Sequence, residues 1–76
     1  MFTTVDEEVL CLETDWMDEP DLNVLSARLT VRLEGLKARY RQGRQGFTGS
    51  NIQKIEGLFE RLSLLERLQR WMAALE

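Results

Sequence analysis

The clearest apolar pattern in this chain runs from about residue 22 to residue 41. Its large apolar residues recur at steps of three and four, which at about 100° per residue places them on one stripe of a helix. A segment with Asp caps and Pro20, suited to a first helical turn, precedes the pattern, and Gly43 follows it as a stop signal. We therefore predict a helix over 22–41, whose stripe consists of Leu22, Leu25, Leu29, Leu33, Leu36 and Tyr40.

A second helix is predicted over 50–75. Ser50 and Gln53 match a capping box at its start, and Thr48 is a rival cap two residues earlier. The connection between the two helices, residues 43–49, is short, and short connections give antiparallel neighbours. The sequence thus predicts an antiparallel helical hairpin over 21–76. The main stripe of its second helix is Ile55, Leu58, Leu62, Leu65 and Met72.

The first twenty residues form an acidic arm with its own apolar stripe. Thr4 and Glu7 match a capping box, which favours a short third helix, although residues 9–12 also suit a short strand. We therefore predict an all-α fold in one small domain, with an arm over 1–20 and the hairpin over 21–76. The arm's stripe consists of Phe2, Val5, Val9, Leu12 and Trp16.

Charge divides the chain at the same place. Eight acids and no base precede Arg28, whereas the remainder holds ten bases and five acids, for a net charge of −3. Such a division indicates that the arm either folds onto the hairpin or meets a basic partner.

Both long helices carry more apolar surface than a hairpin hides. Val24 and Val31 lie opposite the leucine stripe of the first helix, and a second apolar row lies beside the main stripe of the other helix. Trp16 stands among acids, where it either docks into the core or anchors a partner. The arm, a partner or a second copy must cover this surplus. The predicted interface is Leu64, Leu68, Trp71, Leu75, Val24, Val31 and Trp16.

Two glycines interrupt the helices at equal distances from the loop. Gly35 and Gly57 each lie eleven positions from Gly46. Glycine within a helix costs about 1 kcal/mol relative to alanine, so close packing of the two helices is one explanation. Because Gly35 lies away from the leucine stripe, two tolerated glycines is the simpler interpretation.

The residue types exclude much catalytic chemistry. Histidine is absent, so the common zinc ligand sets and histidine-based triads cannot be built, and the spacing of the acids departs from a calcium loop. Cys11 lies between Leu10 and Leu12 in an acidic segment that disfavours a thiolate, and we expect a structural thiol. We predict no enzyme activity, no cofactor, no metal and no membrane span, and a cytoplasmic location.

A basic edge on the first long helix supports a different function. Arg28, Arg32 and Arg39 line this edge, and with Arg44 they resemble a small nucleic-acid footprint. The sequence pI of about 4.9 and the acidic arm oppose it. The alternative prediction is a small nucleic-acid-associated regulator whose arginine edge is latched by the arm.

In layout, the hairpin with its apolar flank resembles small co-chaperones of type III secretion and the Rop type of dimeric hairpin. The resemblance covers the last two-thirds of the chain and does not carry function. The main prediction is a non-enzymatic interaction protein, namely a small adaptor, co-chaperone or inhibitor. It would bind a partner protein or a second copy, most simply as a dimer, through an apolar helix face.

Overall fold

The computed structural model describes residues 4–76, and within this range the chain forms three α-helices and no strand. Helix α1 spans Val5–Asp18, α2 spans Leu22–Arg41 and α3 spans Gly49–Leu75. The fold is all-α, as predicted, and residues 9–12 are helical. The predicted bounds of α2 agree with the structure, and α3 begins one residue earlier than predicted.

A side chain caps the N-terminus of each of the first two helices. Thr4 Oγ1 accepts a hydrogen bond from the backbone N–H of Glu7 at 3.1 Å, which caps α1. The Oδ1 of Asp21 accepts from the N–H groups of Asn23 and Val24 at 2.9 and 3.3 Å, which caps α2. Pro20 therefore precedes the cap and lies outside the first turn, contrary to our expectation.

Helix α2 ends in a Schellman motif at the predicted glycine. Gly43 adopts φ of 73°, a left-handed conformation that glycine reaches without steric cost. Its N–H donates to Tyr40 O at 3.0 Å, and the N–H of Arg44 donates to Arg39 O at 3.1 Å. Both bonds satisfy carbonyls that the end of the helix leaves unpaired.

The cap of α3 is Thr48, the alternative to Ser50 in the sequence analysis. Thr48 Oγ1 accepts from the N–H of Asn51 at 3.2 Å, and Asn51 Oδ1 accepts from the N–H of Thr48 at 2.8 Å. This reciprocal pair is a capping box with asparagine in place of the usual Glu or Gln. The predicted box of Ser50 and Gln53 is thus wrong, because α3 already begins at Gly49.

All three helices contribute to one apolar core. Acids in and just after α1 pair with arginines of α2 in descending order, so α1 runs antiparallel to α2. The contacts Asp6–Asn51 and Trp16–Arg61 show that α1 runs parallel to α3. Phe2, predicted on the α1 stripe, lies outside the described residues. Trp16, Leu22, Phe47 and Phe59 pack partly buried against the core. The buried residues are Val5, Val9, Leu12, Leu25, Leu29, Leu33, Leu36, Ile55, Leu58, Leu62 and Leu65.

The mid-helix glycines do not mediate close packing. A Cβ placed on Gly35 or Gly57 would meet no atom within 4 Å outside its own local helix. Gly46 differs, because it adopts φ of 105° and its added Cβ would lie 3.3 Å from Val5 Cγ2. The loop glycine is therefore required where α1 packs on it, whereas the two helical glycines are tolerated.

Replacing the tolerated glycines should stabilise the protein. We expect Gly35→Ala and Gly57→Ala each to raise the free energy of unfolding by about 0.5–1 kcal/mol, because alanine loses less backbone entropy in a helix. Urea unfolding followed by circular dichroism measures the gain. Gly46→Ala is the control and should destabilise. A loss of stability in either helical variant would show that the glycine is needed for packing.

Candidate functional site

The three helices differ in length, and this difference uncovers one end of α3. Helix α3 has 27 residues, whereas α1 has 14 and α2 has 20. Helix α1 accompanies only the first half of α3: Asp6 bonds Asn51 near one end, and Trp16 lies against Arg61 near the other. The start of α2 reaches Gln69, which donates to Leu22 O at 3.4 Å. Residues 70–76 lie past this contact, and all are exposed.

An apolar row follows the uncovered side of α3. We call Leu64, Leu68, Trp71 and Leu75 the α3 stripe; their exposed fractions are 61, 46, 74 and 82%. The row lies about a third of a turn around α3 from its buried residues. Steps of four, three and four are the spacing of alternating d and a positions in a coiled coil. In the described range 4–76, four large apolar residues thus form one seam that is about half exposed or more.

Trp16, the α1 member of the predicted interface, packs against the core. It is partly buried and packs against the buried leucines. The guanidinium of Arg61 lies 5.7 Å from the centre of its ring, within the range of a cation–π contact. Of the two roles that the sequence left open, the structure shows the docked last turn of α1.

Val24 and Val31 occupy a separate surface. Both lie on the side of α2 that faces away from its buried leucines, and Val31 is 73% exposed. Their face and the α3 stripe point outward from different helices. The seven predicted interface residues thus lie on three helices: Trp16 on α1, Val24 and Val31 on α2, and the remaining four on α3.

Three of the four candidate anion-binding arginines meet acids of the arm. Arg39 Nη1 donates to Glu8 Oε2 at 2.8 Å, the shortest of these contacts. Arg28 lies 3.5 Å from Glu19, and Arg32 lies 3.9 Å from Asp15. Arg44 is exposed in the loop.

The Arg32–Asp15 contact is too long for a hydrogen bond, and among residues 4–76 Asp15 Oδ2 has no hydrogen-bond partner. Partly exposed pairs of this kind contribute about 0–1 kcal/mol each. Their main effect is to neutralise the basic edge of α2.

A groove at the loop end of the hairpin was not predicted. It encloses about 300 Å³ between α2 and α3, and its walls include Tyr40, Phe47 and Phe59. The rings of Tyr40 and Phe47 meet edge to face with centroids 5.3 Å apart. Lys37 lies 6.0 Å over the ring of Phe59 at one rim. Two features of the sequence could have indicated this groove: Tyr40 lies on the leucine stripe, and Phe47 lies beside the cap.

Cys11 departs from its predicted environment. The thiol is free and exposed on α1, beside a shallow depression that also involves Arg32 and Gly35. Cys11 is therefore not a core residue. The buried side of α1 here is formed by Val9 and Leu12, which lie before and after it in the sequence.

The described part of the chain does not bring metal-binding side chains together. Among residues 4–76, no three His, Cys, Asp or Glu side chains come together in a group suited to holding one. Nor is any helix in this range long and apolar enough to cross a membrane.

Comparisons with known proteins do not add a function. The chain matches no protein-family model, no curated protein and no solved structure. Its function must therefore be argued from its own surfaces.

Proposed function

We propose that this chain is a non-enzymatic protein-interaction module, a small helical adaptor, co-chaperone or inhibitor, that binds through the α3 stripe. The observation that carries the proposal is the exposure of Trp71 and Leu75, at 74 and 82%, after all three helices have packed. Contiguous apolar residues left exposed by a folded chain are typical of interaction sites. A tryptophan at the centre of such a row is the residue type most enriched among binding hot spots.

The chemistry of the stripe favours an apolar helix as its ligand. Seam spacing lets the side chains of a second helix insert between Leu64, Leu68 and Trp71 as knobs into holes. An amphipathic helix in such a groove is a recurring mode of recognition. We place the module in the cytoplasm, since its single cysteine offers no internal disulfide for an oxidising compartment.

The nucleic-acid alternative has less support. Its arginine edge already faces Glu8, Asp15 and Glu19, and freeing it would require α1 to leave. That step would expose Val5, Val9 and Leu12, which are at most 2% exposed in the folded chain. A latch that is also part of the core is costly to open.

Truncation of the stripe tests the proposal. We expect the double variant Trp71→Ala, Leu75→Ala to keep its helix content and to weaken its complexes by 2 kcal/mol or more, about 30-fold, because a hot-spot anchor is removed. The matched control is Val24→Ala, Val31→Ala, which removes exposed apolar side chains from α2. Light scattering of the purified chains, and chemical cross-linking of the tagged chains in their host cells, measure association. Equal association of the stripe variant and the wild type would refute the proposal.

A further inference from the structure

We infer that two copies of this chain pair through the α3 stripe, with the two α3 helices antiparallel and a two-fold axis between Gln69 and Arg70. This inference rests on the proposed function and names its partner. The stripe reads as d, a, d, a over Leu64, Leu68, Trp71 and Leu75. Such a short seam is its own complement when one copy is reversed, so the antiparallel pair is an isologous dimer.

The antiparallel register matches large residues with smaller ones. Reversal about the axis brings Leu64 opposite Leu75 of the second copy, and Leu68 opposite its Trp71. Each indole then packs on a leucine, whereas a parallel pair would set the two Trp71 side chains in one layer. Alternation of large and small residues across a seam allows the layers to interdigitate.

Charge favours the same direction. Helix α1 carries Asp6, Glu7 and Glu8 in its first turn and no base in its last turn. It accompanies only the half of α3 near the loop, so a parallel pair would place two acidic helices at the same height. An antiparallel pair places them at opposite ends of the dimer. The resulting preference is small, because the two α1 helices of a parallel pair would be as much as about 30 Å apart and screening acts over about 8–10 Å.

The exposed area suits one helix–helix interface. The four stripe residues and Met72, which lies beside them, are each between 46 and 82% exposed. At about 100 Å² for each aliphatic side chain and about 200 Å² for tryptophan, they offer on the order of 400 Å² per copy. A specific interface buries about 800 Å² per partner, of which a polar rim supplies a large share. The stripe thus provides the apolar centre of such an interface.

The distance between the two Cys11 residues distinguishes an antiparallel dimer from a parallel one. Asp6 meets Asn51 and Trp16 meets Arg61, both 45 positions apart, so Cys11 lies at the height of residue 56 of α3. At about 1.5 Å per residue, the two Cys11 sites of an antiparallel dimer lie about 40 Å apart along the axis. In a parallel dimer they lie at one height, within about 30 Å across adjacent helices spaced by 8–10 Å.

The experiment combines light scattering with electron–electron distance measurement on the full chain, spin-labelled at Cys11. We expect a dimer whose dissociation constant lies between about 10 µM and about 1 mM. The main distance between the two Cys11 labels should be about 40 Å or more. The Trp71→Ala, Leu75→Ala variant should dissociate at least about 100-fold more readily, because each substitution occurs on both sides of the interface. Circular dichroism checks that its helices persist, and Val24→Ala, Val31→Ala should dimerise as the wild type does.

Three outcomes would overturn the inference: a monomer at every concentration, a dimer with Cys11 labels less than about 30 Å apart, or a dimer unaffected by the stripe substitutions. A monomer whose cross-linked complexes with other proteins still depend on Trp71 would reject the second copy as partner and leave the proposed function standing. A failure of the proposed function differs, because no association of any kind would then depend on the stripe.

Discussion

Leu12→Ala is expected to remove most of the stability of this protein. The side chain is fully buried on α1, where it belongs to the core shared with α2 and α3. Truncating a buried leucine to alanine costs about 2–5 kcal/mol through lost apolar burial and the cavity that remains. A single core in a chain this short rarely supplies more than about 3–5 kcal/mol. We therefore expect a population that is largely unfolded at room temperature.

The matched control lies two residues earlier on the same helix. Leu10 is 65% exposed, and Leu10→Ala should change the free energy of unfolding by less than about 0.5 kcal/mol. Urea titration followed by circular dichroism and by tryptophan fluorescence compares the two variants. If both lose the same stability, α1 does not pack as described, and the arm is an appendage of the hairpin.

This prediction bears on what the sequence can reveal about the arm. The apolar periodicity of Val5, Val9 and Leu12 favoured a helix and indicated its buried side, although the run over 9–12 also suited a short strand. The division of charge also indicated that the arm could fold back onto the hairpin. Which acid would meet which arginine was not predictable, because the pairing depends on the direction and height of α1 against α2.

The functional surface shows a similar limit. The surplus apolar row on α3 was visible in the sequence from the spacing of Leu64, Leu68 and Trp71. Its position relative to Val24 and Val31 was not, because the relative orientation of two helices is a tertiary property. The exposure of the row follows from the lengths of the helices: α1 ends at Asp18, too early to accompany the second half of α3.

The start of α3 is the clearest case in which local pattern fails. Two candidate caps lie two residues apart in the sequence, and only Ser50 has the Gln three residues later that the local rule requires. The structure selects Thr48 and Asn51, and Asn51 is 2% exposed. Its Nδ2 donates to Asp6 Oδ1 at 3.0 Å and to Gly46 O at 2.8 Å. Because Asp6 lies 45 positions away, a prediction from neighbouring residues could not include this contact.

Asn51→Ala should accordingly be the most damaging polar substitution. One side chain satisfies the N–H of Thr48 and the carbonyl of Gly46 and also ties α1 to the start of α3. Alanine removes all three bonds, and buried polar groups without partners cost about 1–3 kcal/mol each. We expect a loss of about 2–3 kcal/mol in the free energy of unfolding, reduced from the full sum because water reaches the partly exposed loop.

Two further substitutions identify the cause of that loss. Ser50→Ala should change stability by less than about 0.5 kcal/mol, since Ser50 is exposed and Thr48 is the cap. Asn51→Asp keeps the acceptor for Thr48 but turns a second carboxylate toward Asp6, so its loss should equal or exceed that of Asn51→Ala. Urea unfolding of the three variants at pH 7 measures these differences. A larger loss for Ser50→Ala than for Asn51→Ala would place the cap at Ser50 and refute the described junction of α1 with α3.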